Sequence, residues 1–272
     1  MTTLSLNEAW NDTAAFVKRE WRLLVPIALL LNALPMAFAG AMLPQLGQGR
    51  TPEPGPWLFA IPAAAFIGII GSVALSYLAL APGRSVGEGL KRGLGRFLPL
   101  LGLYLLFGLA IGLLFGVVAA IAMLLVPGLD PTAPSQGALA GFGLILLVVM
   151  VPVLLFVSTR LLLVAPVAAA EEGGPLAIAR RSFALTKPHF WPLLGFIILA
   201  GILSNVIQFV AQAVVGIPFL LLAGPPERGG LSGVAILLVT AIVSTVVTVY
   251  LTTMVARIYL RLARGPDSDV FA

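Results

Sequence analysis

This chain predicts an all-α membrane protein of six spanning helices, and three observations carry the prediction. Sixty per cent of its 272 residues are hydrophobic and only 10% are charged, where a soluble domain carries about a quarter. Six apolar stretches each reach the roughly 20 residues that a helix needs to cross hydrocarbon. The basic residues are sorted between alternate flanks of these stretches: 14 of the 16 Lys and Arg belong to one set, leaving Arg50 and Arg228 in the other. Helices are required because lipid offers backbone amides no partner. Basic flanks stay on the cytoplasmic side, so both termini are expected inside.

The first element is an amphipathic helix over residues 5–19, expected to lie on the inner leaflet. Ser5 and Glu8 have capping-box spacing, and Leu6, Trp10, Ala14 and Val17 share a face. The first span follows at about 23–43. Ala37-Phe38-Ala39 has the look of a leader cleavage site, but the 22 residues ahead of the apolar run contain Glu8, Asp12 and Glu20. That is unlike a short basic leader, so the segment reads as a retained span. A turn rich in Pro and Gly leads to the second span, 57–81, where Ala60, Ala64, Gly68, Ser72 and Ser76 recur every four positions.

A second interfacial helix is predicted at 85–96, with Val86, Leu90, Leu94 and Phe97 as its apolar stripe and Lys91, Arg92 and Arg96 away from it. In the third span, 98–126, Gly108, Gly112, Gly116 and Ala120 again recur every four. Small residues at this spacing let helix backbones approach closely; packing within the chain is the expected use, and contact with a second copy the other. The fourth span covers 138–165 and contains Arg160. A third interfacial helix, 175–187, sets Leu176, Ala179 and Phe183 against Arg180 and Arg181. The fifth span, 191–223, exceeds what a bilayer needs, so it should tilt, kink or break, with Pro218 the candidate. The sixth, 232–258, runs into Arg257, Arg261 and Arg264.

The inner connections repeat. Glu20-Trp21-Arg22-Leu23-Leu24, Phe97-Leu98-Pro99-Leu100-Leu101-Gly102 and Phe190-Trp191-Pro192-Leu193-Leu194-Gly195 are matching entries, and Leu80-Ala81-Pro82 parallels Val164-Ala165-Pro166. A unit of interfacial helix plus two spans, used three times within a single integral membrane domain of residues 1–272, accounts for them.

Several stretches carry a family resemblance: Leu163-Val164-Ala165-Pro166, Glu171-Glu172-Gly173-Gly174-Pro175-Leu176, Arg180-Arg181-Ser182-Phe183-Ala184-Leu185-Thr186-Lys187, the Phe190 to Gly195 entry, and the closing Ala256-Arg257-Ile258-Tyr259-Leu260-Arg261. Together they resemble the membrane domain found beside some glycerophosphodiester phosphodiesterases, and related six-span proteins of the bacterial inner membrane. About thirty residues are involved. The hydrolase barrel of those enzymes has no counterpart here. The resemblance therefore implies a bacterial inner-membrane location and a topology, and no chemistry.

Net charge is +5, and the predicted inner side holds 14 basic against 8 acidic residues, the outer side 2 against 3. Such an inner face favours anionic phospholipid headgroups at roughly 1 kcal/mol per well-placed cation. The candidate contacts are Arg160, Lys91, Arg92, Arg96, Arg180, Arg181, Arg257 and Arg261. Nucleic acid is a poor partner, since the charges sit at span ends and form no continuous stripe. Arg160 lies six residues before Pro166, about 9 Å of helix. It either snorkels to the interface or pairs inward with Glu171, Glu172 or a lipid phosphate.

A second constellation is polar and uncharged. Asn205, Gln208 and Gln212 share a face of the fifth span; Thr240, Ser244, Thr248 and Thr252 recur every four in the sixth. They either zip the two helices together or line a hydrated cleft. Catalytic chemistry finds little purchase. Cysteine is absent and His189 is the single histidine, so thiol chemistry and a set of several His metal ligands are excluded, and no Ser-His-Asp triad is expected. His189 sits beside Phe190 and Trp191, where aromatic side chains anchor an interface. Asp130, Asp267 and Asp269 fall in a turn and a tail, with no paired carboxylates suited to acid–base work. Gly87-Glu88-Gly89 follows no strand and makes no phosphate loop. No cofactor is expected.

The expected function is therefore non-enzymatic: a lipid-engaging scaffold, assembly or accessory subunit, in contact with phospholipid and with a protein partner or a second copy. The alternative is a small transporter or exporter of an amphipathic substrate. It is weakened by the lack of acidic coupling residues within the spans.

Overall fold

The structure, a computed structural model, describes residues 6–42, 55–127, 135–223 and 230–264. Among the described residues there is no strand. The elements are α1 (Leu6–Ala28), a π-helical turn (Leu29–Ala33), α2 (Leu34–Met42), α3 (Trp57–Leu80), α4 (Val86–Leu125), α5 (Gln136–Leu161), α6 (Val164–Ala170), α7 (Pro175–Thr186), α8 (Phe190–Ala223) and α9 (Leu231–Arg264). Six helical stretches are long and apolar enough to cross a membrane: Glu8–Gly40, Trp57–Leu80, Val86–Leu125, Gln136–Ala170, Phe190–Leu222 and Gly233–Ala263. The protein is thus an all-α, multi-pass membrane protein. Arg50, Arg228, Asp130, Asp267, Asp269 and the Ser5 half of the proposed capping box lie outside the described residues.

Two expected interfacial helices are not separate elements. The 5–19 and 85–96 segments are the first turns of α1 and α4, which run unbroken into their spans. Nothing between Lys18 and Leu23 interrupts helical hydrogen bonding, and α4 passes Pro99 without breaking. Pro218 likewise sits inside a continuous α8. The interruption falls elsewhere, in the π turn at 29–33, three residues after Pro26 and two before Pro35. A proline clashes with the carbonyl four residues back; one wide turn accommodates it.

The faces of these helices also differ from expectation, for a physical reason. On α1 the buried side chains are Ala9, Thr13, Phe16 and Val17, continuing to Leu24 and Ile27, while Trp10 is exposed. On α4 the predicted stripe of Val86, Leu90 and Leu94 is exposed, and Gly89, Gly93, Leu100 and Leu103 are buried. In lipid, large apolar side chains gain little from neighbouring helices, and close approach of small ones decides the interface. Gly93 makes the case: a Cβ there would stand 2.6 Å from the carbonyl oxygen of Ile70 on α3.

The dense packing sits toward the end where the basic residues gather. Val73, Leu100, Leu103, Leu163, Val167, Ile178, Leu193 and Ile258 form one cluster there, and Phe16, Leu24, Leu75, Leu78, Val249 and Ala256 a second. At the centre lies α6, a seven-residue helix whose Val164, Pro166, Val167, Ala168 and Ala169 are all buried. The fourth span was expected to exit at Val164-Ala165-Pro166. Instead α5 ends at Leu161 and Pro166 occupies the first turn of α6, where its missing amide costs nothing.

Candidate functional site

The link between α6 and α7, Glu171-Glu172-Gly173-Gly174, is held by two arginines from α4. Arg92 Nε donates to the Ala169 carbonyl at 2.9 Å. Arg96 donates to the carbonyls of Glu171 at 3.0 Å and Gly173 at 3.3 Å. The last carbonyls of a helix have no intrahelical donors, and a planar guanidinium offers several donors in fixed directions. The two arginines therefore close the end of α6. The Glu171 carboxylate accepts Arg181 Nε and the Tyr259 hydroxyl, each at 2.9 Å. Glu172 lies 3.6 Å from Arg92 and 3.9 Å from Arg96. Across the bundle, Arg261 bridges Glu8 at 2.8 Å and Asp12 at 2.6 Å, tying α9 to α1. Arg257 stacks over the Phe16 ring, 4.5 Å from its centroid.

Five of the eight candidate headgroup contacts, Arg92, Arg96, Arg181, Arg257 and Arg261, are thus engaged within the chain. Lys91 and Arg180 are exposed, as is Lys187, which was not among the candidates. Lys91 borders a cavity of about 480 Å³ shared with Tyr77, Glu88, Arg92, Arg96 and Glu172. That cavity mixes three cations with two carboxylates. The capping box at the start of α4, formed by Ser85 and Glu88, is reciprocal. Its Ser-x-x-Glu spacing is the sequence mark of such a helix start.

A second cavity, of about 550 Å³, opens between α4, α5 and α7. Its walls are mostly apolar: Leu106 and Phe107 from α4, Phe156 from α5, and Leu176, Ala179 and Phe183 from α7. The apolar stripe expected on 175–187 therefore faces this cavity. Arg160, Arg180 and Lys187 border it, and no carboxylate does. The Arg160 guanidinium lies 5.2 Å from the Phe156 ring centroid and 5.0 Å from that of Phe190. Its Nη1 is buried and has no hydrogen-bond partner among the described residues. The pairing of Arg160 with Glu171 or Glu172 does not form, because those carboxylates are taken by Arg181 and Tyr259 and by Arg92 and Arg96. α7 is fixed beside Arg160 by Ser182, whose hydroxyl donates to the Arg160 carbonyl at 2.6 Å.

The uncharged polar set is only partly assembled. Gln212 donates to Thr240 at 3.4 Å, one link between α8 and α9. Asn205 is exposed and donates to its own helix at Gly201, and Ser244 binds back to Ala241. Ser244, Thr248 and Thr252 are half-buried, whereas Thr245 and Thr253, one position after Ser244 and Thr252, are buried. The buried face of α9 is turned by about one residue from the predicted stripe, because α9 packs against α1 as well as α8. Neither cavity is lined by Asn205, Gln208 or these hydroxyls. Gly108, Gly112 and Gly116 have open space where a Cβ would be, so they do not pack helices within the chain. They lie on the lipid-facing side of α4. His189 is half-buried beside Phe190, and Trp191 is 78% exposed, as an interfacial anchor would be.

A six-span helical bundle with a stitched basic end and an apolar, cation-rimmed cleft defines a polytopic membrane protein. A family model described as a domain of unknown function (DUF7847) matches residues 5–262, and the chain belongs to that family. No curated protein and no solved structure matches it.

Proposed function

We propose that this protein is a non-enzymatic, lipid-engaging scaffold or accessory subunit of the bacterial inner membrane, with its basic end and both termini on the cytoplasmic side. One observation carries the reading. At the basic end Arg92, Arg96, Arg181 and Arg261 meet the chain's own carboxylates and carbonyls, while Lys91, Arg180 and Lys187 stand exposed without an ion pair among the described residues. Cations left outward at a membrane surface attract anionic headgroups at roughly 1 kcal/mol each. The charge asymmetry of the flanks supports the orientation. The resemblance to phosphodiesterase-associated membrane domains is compatible with it, and without a catalytic barrel supplies no reaction.

The test is purification in mild detergent followed by mass spectrometry of the intact complex. Enriched anionic phospholipid, or one defined protein complex, is expected. A monomer indifferent to lipid charge overturns the proposal.

A further inference from the structure

We infer that the cleft between α4, α5 and α7 is a site for one anionic phospholipid. Its phosphate contacts Arg160, Arg180 and Lys187, and an acyl chain lies against Phe107, Phe156 and Phe183. This deepens the lipid-engaging reading and rests on it.

Charge is the first argument. Three cations border the cleft and no carboxylate does, whereas the neighbouring cavity mixes Lys91, Arg92 and Arg96 with Glu88 and Glu172. Among the described residues no carboxylate balances the positive charge here. The second argument is the state of Arg160. Its flanking rings attract the cation but accept none of its N–H groups in the plane of the guanidinium, and Nη1 is buried without a partner among the described residues. An ionised group at membrane depth is costly unless paired, and a phosphate oxygen is the acceptor chemistry a guanidinium fits best. The third argument is the wall. A free inorganic anion gains nothing from Phe107, Phe156 and Phe183; a neutral acyl chain gains nothing from three cations. An anionic amphiphile uses both.

The cleft is also preorganised. Ser182 ties α7 to the Arg160 carbonyl, and Ile178, Ser182 and Thr186 bury its opposite face. The Phe107 and Phe183 rings pack against each other in the cleft wall, their centroids 6.3 Å apart.

The experiment titrates delipidated protein in neutral detergent with phosphatidylglycerol and, separately, phosphatidylcholine, counting bound lipid by native mass spectrometry. One phosphatidylglycerol should bind more tightly than any that follow, and more tightly than phosphatidylcholine. The exposed pair Arg180→Gln and Lys187→Gln should weaken it about fivefold for each charge removed. Ala184→Trp, at the rim of the cleft, keeps every cation and should also abolish the tight site. Arg160→Gln is the third variant; the two surface variants keep the test valid should it fold poorly. Equal binding by wild type and Ala184→Trp overturns this site while leaving lipid engagement elsewhere intact. Displacement of phosphatidylglycerol by millimolar inorganic phosphate, with Ala184→Trp without effect, overturns it in favour of a bare anion site. No preference for anionic lipid in the wild type removes both this site and the wider proposal.

Discussion

Arg96 keeps only 12% of its side chain exposed and directs both terminal nitrogens at carbonyls of the α6–α7 link. Removing it takes the donor from the Gly173 carbonyl and leaves the Glu171 carbonyl only Arg92 at 3.4 Å, in a partly buried place, which costs about 1–3 kcal/mol. Arg96→Ala should therefore lower thermal stability in detergent clearly, and Arg96→Lys should restore less than half, since an ammonium cannot span two carbonyls in a fixed fork. Arg180→Ala, at an exposed site with no ion pair among the described residues, should leave the melting temperature unchanged. Equal shifts for Arg96→Ala and Arg180→Ala would contradict the assignment of Arg96 to structure. Glycines give a second contrast. Gly93→Ala drives a Cβ to 2.6 Å from backbone, an overpacking worth about 1–3 kcal/mol, while Gly112→Ala meets open space and should change stability by less than about 0.5 kcal/mol. The two positions read alike in the chain, and only the structure separates them.

Helices and their spacing were the legible part of this fold; which way each faces was not. All six spans are present in the predicted order, because apolar length is a one-dimensional property, but the first and third begin at Glu8 and Val86, well before the predicted 23 and 98, having absorbed the expected interfacial segments. The stripes on 5–19 and 85–96 were misassigned because amphipathic reasoning presumes water on the polar side. Here Arg92 and Arg96 point inward to carbonyls, and Leu90 and Leu94 point to lipid. On α7 the predicted stripe was right, and it faces a cleft that no periodicity reveals. The π turn was equally hidden. Asn32 sits in it with its amide nitrogen buried and without an acceptor, and a Cβ on Gly71 of α3 would stand 2.7 Å from that nitrogen. Asn32→Leu keeps the number of side-chain heavy atoms and removes the orphan donor, so it should raise stability by about 1 kcal/mol. A loss of stability in the same thermal assay would mean that the amide has a partner in the membrane.

For the whole molecule, the segregation of basic flanks makes a prediction that does not depend on any single contact. Because the chain lacks cysteine, single substitutions report position without background. Lys91→Cys lies on the exposed face of α4 at the basic end, and Gln136→Cys on the exposed start of α5 at the other end. A membrane-impermeant maleimide added to intact cells should label Gln136→Cys and spare Lys91→Cys; permeabilised cells should label both. The basic flanks stay inside because moving a cation against the membrane potential costs about 2.3 kcal/mol per 100 mV. Labelling of Lys91→Cys from outside would invert the molecule. It would also move the Arg160 cleft to the opposite leaflet, away from the anionic headgroups of the cytoplasmic side. Orientation and lipid site therefore stand or fall on linked measurements, and the labelling, which needs no purified protein, is the one to make first.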